Sequence, residues 1–255
     1  MMGDALPPIR RTRGWPALGG WWSYDTWGGN GRPVILIHGI LFDRAMWWPA
    51  AAELCKDCTV IAVDLPGHGA SPARARYDPA VLVEEIAHLL HELGATRAPV
   101  VVGHGTSSGL AALFAARFVA HAVITVDAPA GIELRPPIAP DDVNRYLATM
   151  ATDELPPSYR TLVTARPDPA LLAAYLACMP DALHDEMDNR PEKRSRSAPS
   201  RQRQLAVHSQ SPGTGDRRPL TSPRGQWRSA IYDVPGRFAH LADVQRFASD
   251  VRSVL

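Results

Sequence analysis

The chain has 255 residues, of which 45% are hydrophobic, and it carries a formal net charge of +1. This length is sufficient for one large domain with a well-buried core, and the balanced charge predicts no general attraction to nucleic acids or membranes. Neither the first sixteen residues nor any later run is apolar for long enough to form a secretory signal or a membrane span. We therefore expect a cytoplasmic protein whose partner is a small molecule or a peptide.

The three cysteines predict neither a disulfide framework nor a metal site. Cys55 and Cys58 form a C-x-x-C pair, but the sequence has no second pair, and Cys178 is distant. A structural zinc site needs four ligands, usually in paired spacing, and a redox pair needs a thioredoxin-like context. We therefore expect no bound metal and no cofactor.

The first half of the chain alternates short apolar segments with amphipathic ones, which predicts parallel strands covered by helices. Trp21–Trp27 is typical of a first hairpin, closed by the glycine-rich residues 28–31. Two buried strands are predicted at Pro33–His38 and Thr59–Asp64. Asp78–Leu93 is predicted as a helix, with aspartate at its N-cap and glycine after its last residue.

The middle of the chain predicts the central strand at Val100–Val102, a helix at Thr106–Phe118 and a further strand at Ala122–Val126. Residues 129–200 break this alternation, and their best helix is predicted at Ala170–Met179. We interpret them as a small helical cap inserted into an α/β core made of residues 1–128 and 201–255. Such a cap is expected over the carboxyl edge of the sheet, where open α/β sheets bind ligands.

The C-terminal part includes a segment rich in arginine, serine and proline at residues 190–228. This segment is either a basic recognition loop or a solvated connection, and its composition favours the connection. A strand is still expected within it at Gln204–His208. The last strand is predicted at Ala230–Val234, and a capped helix at Asp243–Val254 closes the chain.

Four short signatures occur in a fixed order along these elements. They are His38-Gly39 after a strand, the Asp64–Gly69 segment, the Gly103-His104 turn, and the Gly236–Leu241 segment near the end. Together they resemble the α/β-hydrolase superfamily over almost the whole chain. The resemblance implies a mostly parallel central sheet flanked by helices, with a small helical cap. It leaves the reaction open, because this fold hosts many chemistries.

The three catalytic positions that the resemblance implies hold residues unsuited to hydrolysis. By position, the nucleophile falls on Gly105, the acid near Ser209 or Gln210, and the histidine on Arg237. Glycine has no attacking group, glutamine is not ionised, and arginine stays protonated. The chain is therefore expected to have a degenerate catalytic triad. In that respect it is similar to the bottromycin-type peptide epimerase, which uses this fold without its triad.

An alternative frame makes Ser107 the nucleophile, because residues 105–109 match G-x-S-x-G. In the frame that we favour, the strand at Val100–Val102 leads into Gly103-His104 and the apex falls at Gly105, so Ser107 lies in the first helical turn. Glycine also suits an apex whose backbone often has positive φ.

The remaining chemistry is expected from backbone groups. The N–H groups of Ile40 and Thr106 are predicted to form an oxyanion hole, which stabilises negative oxygen whether it arises in acyl transfer or in an enolate. The proton acceptor is either Asp127, at the end of the strand after the elbow helix, or a group of the substrate. His104 flanks the elbow, where it either supports the turn or lines the pocket.

Bulky apolar residues are predicted at the mouth of the pocket, namely Leu41, Phe42, Met46 and Trp47. Arg237 adds a cation if it is directed like the family's histidine, and otherwise it faces solvent. A cation there favours an anionic group on the ligand. We therefore expect a hydrophobic or carboxylate-bearing substrate.

Three functions agree with these features. The one we favour is a non-hydrolytic enzyme, namely an epimerase, cyclase or lyase, of the kind that serves natural product biosynthesis. The second is an esterase or lactonase that uses Ser107. The third is a non-catalytic protein that retains the pocket for ligand binding.

Overall fold

A computed structural model describes residues 9–128, 138–177, 203–210 and 227–255. Within these residues, eight strands form one sheet: β1 (Arg11–Ala17), β2 (Gly20–Trp27), β3 (Pro33–Ile37), β4 (Thr59–Val63), β5 (Val100–His104), β6 (Ala122–Val126), β7 (Arg203–His208) and β8 (Trp227–Ile231). Their order is β1-β2-β4-β3-β5-β6-β7-β8. The first two pairings in this order are antiparallel, and the other five are parallel.

The helices of the described residues are α1 (Trp48–Leu54), α2 (Pro79–Glu92), α3 (Ser108–Arg117), α4 (Pro140–Ala148), α5 (Pro157–Arg160), α6 (169–177), α7 (Ala239–Ala242) and α8 (Val244–Arg252). Short 3-10 turns precede α1 at Arg44–Trp47 and α3 at Gly105–Ser107. None of these helices is long and apolar enough to cross a membrane.

The centre of the sheet is built from short runs of β-branched residues. Every residue of β3, β5 and β6 is buried, as expected for parallel strands that are covered on both faces. The predicted fold, a mostly parallel central sheet flanked by helices, is therefore confirmed.

Two helices begin at the aspartates that the sequence marks. The Asp78 carboxylate accepts a hydrogen bond of 2.8 Å from the Ala80 N–H at the start of α2. Asp243 accepts one of 3.0 Å from the Arg246 N–H at the start of α8. Such caps satisfy N–H groups that have no acceptor within the helix.

Two of the predicted elements are wrong in detail. The hairpin is formed by β1 and β2 and turns at Leu18-Gly19, whereas residues 28–31 lead from β2 towards β3. The last strand is β8, which begins and ends three residues earlier than predicted. The predicted helix at Ala170–Met179 is present as α6 up to residue 177, and residues 178 and 179 lie outside the described residues. Most of the predicted connection at residues 190–228 also lies outside them.

Residues 138–177 contact the loops at the carboxyl ends of the strands. The Tyr175 hydroxyl donates a hydrogen bond of 2.6 Å to the Pro66 carbonyl, in the loop after β4. The Arg166 N–H donates one of 2.9 Å to the Leu41 carbonyl, in the loop after β3. These helices therefore approach the edge of the sheet at which a ligand would bind.

Candidate active site

Gly105 lies at the apex of the sharp turn between β5 and α3. Its φ of +54° is in the left-handed region, which glycine adopts without the steric cost that a Cβ atom brings. A Cβ atom built at Gly105 would have one neighbour within 4 Å, the Tyr146 hydroxyl at 3.8 Å. Glycine therefore suits the backbone here, and among the described residues a Cβ atom at the apex would make only an ordinary van der Waals contact.

Ser107 lies in the first helical turn after this apex and is fully buried. Its hydroxyl donates a hydrogen bond of 2.6 Å to the carbonyl of His38, at the end of β3. This bond connects the start of α3 to the neighbouring strand. The geometry thus places the Ser107 hydroxyl in a structural contact and argues against the alternative frame in which it is the nucleophile.

The predicted oxyanion-hole residues lie at the carboxyl ends of two adjacent strands, β3 and β5. Ile40 is fully buried, and no acceptor for its N–H occurs within the described residues. The N–H of the next residue, Leu41, donates instead to a ring nitrogen of His68 at 3.1 Å. Thr106 is the second residue of the helical turn, where an N–H has no acceptor within the helix. The role of these two N–H groups as an oxyanion hole stays a prediction.

Two buried histidines fix the loop that carries Ile40. His68 accepts from Leu41 with Nε2 and donates to the Pro66 carbonyl with Nδ1 at 3.0 Å. Nε2 of His38 accepts from the Leu65 N–H at 2.9 Å. Burial lowers the pKa of His68 to about 4, and it lowers the pKa of His38 well below its ordinary value. Both rings are therefore neutral, as their paired donor and acceptor roles require.

His104 is buried beside the apex, and its Nε2 donates a hydrogen bond of 2.6 Å to the Arg237 carbonyl. The ring stacks on Phe238, with centroids 5.3 Å apart and planes inclined by 9°. Burial lowers the pKa of His104, while the nearby charge of Asp127 opposes the shift. Nδ1 is buried without a partner. His104 thus supports the turn instead of lining a pocket.

Asp127, which follows β6, is buried and has a φ of +47°. Its carboxylate accepts hydrogen bonds from the N–H of Ser209 at 2.5 Å, from the Ser209 hydroxyl at 2.8 Å and from the Ala239 N–H at 3.1 Å. These bonds join the end of β6 to the segment after β7 and to the first residue of α7. Asp127 is therefore committed to structure in this geometry, and Gln210, the next candidate for an acid, is exposed.

Arg237 is half-buried and its main chain is held on both sides. Its N–H donates to the Met150 carbonyl at 3.2 Å, and its carbonyl accepts from His104. The guanidinium has no carboxylate partner among the described residues. Its positive charge lowers the pKa values of Tyr146 and His104, so it acts towards the apex.

Tyr146 is the site residue that the sequence analysis missed. It lies on α4 and is 4% exposed. Burial raises the pKa of the phenol to about 12, against the opposing effects of Arg237 and the neighbouring Thr106 hydroxyl. The Thr106 hydroxyl is buried and lacks the geometry of a hydrogen bond to the phenol. The signal in the sequence was the apolar face of α4, on which Val143 and Tyr146 are three residues apart.

A scan of the chain decides the family. The profile of the alpha/beta hydrolase family matches residues 34–251. The protein belongs to this family. The match shows the family and the fold, and it leaves open which residues carry out a reaction.

Similar proteins agree with this assignment at the level of fold. An uncharacterized protein of Mycobacterium tuberculosis is 40% identical over 91 residues, which are 35% of this chain and 26% of that protein. The Cif epoxide hydrolase of Acinetobacter nosocomialis superposes with a TM-score of 0.69 at 14% identity, covering 98% of this chain and 90% of that one. A thermophilic esterase of Thermogutta terrifontis superposes with a TM-score of 0.65 at 22% identity, covering 96% and 97%. The chain thus spans about a quarter of the length of this sequence relative.

The predicted apolar wall is fully buried, with Leu41, Phe42, Met46 and Trp47 each at most 2% exposed. Phe42 packs edge-on against Phe238, with centroids 5.4 Å apart. Trp47 packs against His240, with centroids 4.3 Å apart, so it belongs to the core beneath the site. A contact between Trp47 and substrate therefore stays a prediction.

Within the described residues, no three side chains of histidine, cysteine, aspartate or glutamate converge as metal ligands would. The Cys55 thiol donates to the Ala52 carbonyl at 3.3 Å, and the Cys58 thiol to the Leu54 carbonyl at 2.9 Å. Burial raises the pKa of Cys58 to about 12. Cys58 is therefore a protonated thiol, which is unreactive as a nucleophile.

Proposed function

We propose that this protein is a non-hydrolytic enzyme of the α/β-hydrolase family, namely an epimerase, cyclase or lyase. The N–H groups of Ile40 and Thr106 would stabilise a negative oxygen that develops on a carbonyl of the substrate. The observation that carries the proposal is Gly105, which leaves the apex without an attacking group and, among the described residues, with room for a Cβ atom. The two N–H groups can polarise a substrate carbonyl at this apex. Gly105 has no side chain that could attack this carbonyl to form an acyl-enzyme.

The side chains around the apex supply protons more readily than they accept them. The phenol of Tyr146 is protonated at neutral pH, because its pKa is raised to about 12. His104 and Asp127 are committed to the main chain of Arg237, Ser209 and Ala239. A proton that leaves the substrate therefore passes to water or to another group of the substrate itself.

Proton exchange on a carbonyl compound tests this proposal. Phenylpyruvate carries a ketone, an aromatic ring and a carboxylate, and it is our probe. In deuterium oxide, a C3 proton leaves to water, the C–H electron pair forms a C2–C3 double bond and the carbonyl π pair moves onto the ketone oxygen; these shifts reverse as a deuteron from the solvent bonds to C3. We expect the protein to accelerate this exchange, followed by proton NMR, relative to the same protein after heat denaturation. Exchange at the rate of the denatured control would contradict the proposal.

A non-catalytic ligand-binding protein is the second candidate function. The observation that favours it is that the side chains of His104 and Asp127 are already engaged in hydrogen bonds within the protein. Among the described residues, the apex is then left without a general base. Binding of phenylpyruvate without faster exchange would support this candidate. Faster exchange by the native protein would exclude it.

An esterase that acts through Ser107 is the hydrolytic alternative. The esterase and the epoxide hydrolase among the similar structures are equally compatible with it. The contact of the Ser107 hydroxyl with the His38 carbonyl speaks against it, because a nucleophilic serine needs a base in reach of its hydroxyl. Hydrolysis of an aryl ester that is lost in Ser107→Ala would support this alternative.

A further inference from the structure

Three residues with hydrogen-bond donors on their side chains lie close to the apex at Gly105. They are Thr106, Tyr146 and Arg237, and we call their side chains the donor cluster. The Tyr146 oxygen lies 3.8 Å from the position of a Cβ atom at Gly105, and the Thr106 hydroxyl oxygen is buried. Arg237 follows Gly236 and is half-buried. Its positive charge lowers the pKa values of both His104 and Tyr146. The cluster therefore combines two hydroxyl groups with one permanent cation.

Arg237 differs from Arg44 and Arg74 in having no acid within reach among the described residues. Arg44 pairs with Asp25 at 3.1 Å, and Arg74 pairs with Glu85 at 2.6 Å. These pairs follow the usual rule that a shielded charge has a partner of opposite sign. For Arg237, no carboxylate of the described residues makes such a contact. A bound anion would therefore supply the missing partner.

Asp127 does not cancel this charge at the apex. Its oxygens accept from Ser209 and Ala239, and it acts electrostatically on His104 and His208. It thus satisfies donors of Ser209 and Ala239. The charge that acts on the Tyr146 phenol is instead that of Arg237, which is positive.

We infer that the donor cluster binds the carboxylate group of an organic acid. Arg237 recognises such a group with paired N–H donors, and the two hydroxyls add further hydrogen bonds. Phe42 and Phe238 lie beside the site and suit an apolar or aromatic body on the acid. The inference rests on the proposed function in placing the substrate at Gly105, but binding does not require turnover.

Binding of benzoate and benzamide to the native protein is the first test. The two probes have similar shape and differ in charge, and each is titrated by ligand-observed NMR to about 10 mM. We expect a dissociation constant for benzoate on the order of 1 mM or below. Benzamide is expected to bind at least about tenfold more weakly, because it lacks the charge-assisted bonds. Equal binding of both probes, or no binding of benzoate, would overturn the inference.

Three variants then locate the bound carboxylate. Arg237→Gln is expected to weaken benzoate binding at least about tenfold, whereas Arg237→Lys keeps the charge and retains part of the affinity. The matched control is Arg145→Gln, because Arg145 lies on α4 near Tyr146 but is 73% exposed and paired with Asp142. We expect the control to bind benzoate like the native protein. An equal loss in Arg145→Gln and Arg237→Gln would show a general charge effect and overturn the inference.

Failure of this inference and failure of the proposed function have different signatures. Selective benzoate binding with no exchange of phenylpyruvate protons supports the carboxylate site and contradicts the enzyme. Accelerated exchange with equal benzoate and benzamide binding supports the enzyme and contradicts the carboxylate site.

Discussion

The Nε2 atom of His104 donates a hydrogen bond of 2.6 Å to the main-chain carbonyl of Arg237. This bond joins the elbow to the C-terminal loop, which are 133 positions apart in sequence. Because the contact uses the main chain of residue 237, the loop is held without the Arg237 side chain. The identity of that side chain can therefore change without loosening the site.

We expect Arg237→Gln to change the free energy of unfolding by less than about 0.5 kcal/mol, because the hydrogen bonds of residue 237 to Met150 and His104 use its main chain. In contrast, His104→Ala should destabilise the protein by about 3 kcal/mol, because it removes a fully buried ring and leaves the Arg237 carbonyl unpaired. Urea unfolding of both variants measures these values. A large loss in Arg237→Gln would show that its side chain supports the fold.

Gly105→Ser tests whether the apex accepts a nucleophile. We expect a stability loss of about 1 kcal/mol, because a Cβ atom is strained at a φ of +54° but has open space. Hydrolysis of p-nitrophenyl acetate should stay at background, because Arg237 cannot act as a base.

Gly103→Ser is the matched control for this variant. A Cβ atom at Gly103 would overlap the Ser107 main chain, so this variant should lose far more stability than Gly105→Ser in the same urea series. Equal losses in the two variants would contradict the open space at the apex.

Ser107→Ala tests the structural role of the buried hydroxyl. Removal of its bond to the His38 carbonyl should destabilise the protein by about 1–2 kcal/mol. Ser108→Ala is a matched control, because the Ser108 hydroxyl also donates to a main-chain carbonyl, that of Gly103, at 3.1 Å. Urea unfolding should show losses of the same order in both variants. If Ser107 were catalytic, hydrolysis of p-nitrophenyl acetate would instead be lost in Ser107→Ala and kept in Ser108→Ala.

Acid should destabilise the protein through its buried neutral histidines. Burial lowers the pKa of His68 to about 4 in the folded state, whereas the unfolded chain has a value of about 6.5. Because the unfolded state binds the proton first, stability is lost as the pH falls from about 6.5 towards 4. His68 alone accounts for a loss of about 2 kcal/mol between pH 7 and pH 5.

The variant His68→Gln isolates this contribution. Glutamine can still accept from the Leu41 N–H and donate to the Pro66 carbonyl, but it does not titrate. Urea unfolding at pH 7 and pH 5 should show a smaller pH dependence in His68→Gln than in the native protein. His88→Gln, at an exposed position, should leave the pH dependence unchanged. An unaltered slope in His68→Gln would show that His68 is not held neutral.

The sequence predicted the sheet well because its central strands are uniform. Val100–Val102 is apolar throughout and Ala122–Val126 is apolar apart from Thr125; such short segments are typical of strands buried on both faces. The positive φ of Gly105 was also expected, since the turn shape demands it. The last strand was misplaced because Trp227–Ile231 mixes polar and apolar residues and has no local signal for its start.

The site was predicted less completely than the fold, because its contacts are tertiary. Helical periodicity marks Tyr146 as an inward-facing residue of α4, but not the loop that it meets. The contacts of Asp127 with Ser209 span 82 positions, and no local pattern connects the two residues. The same holds for Ser107, whose hydroxyl bonds to a residue 69 positions away.

The proposed non-hydrolytic function requires that the elbow carries no activated serine. A fluorophosphonate forms a covalent adduct with such a serine, and peptide mass spectrometry locates the adduct. We predict that the native protein leaves Ser107 unmodified under conditions that fully label a serine esterase. An adduct on Ser107 that forms in the native protein, and not after prior denaturation, would contradict the account.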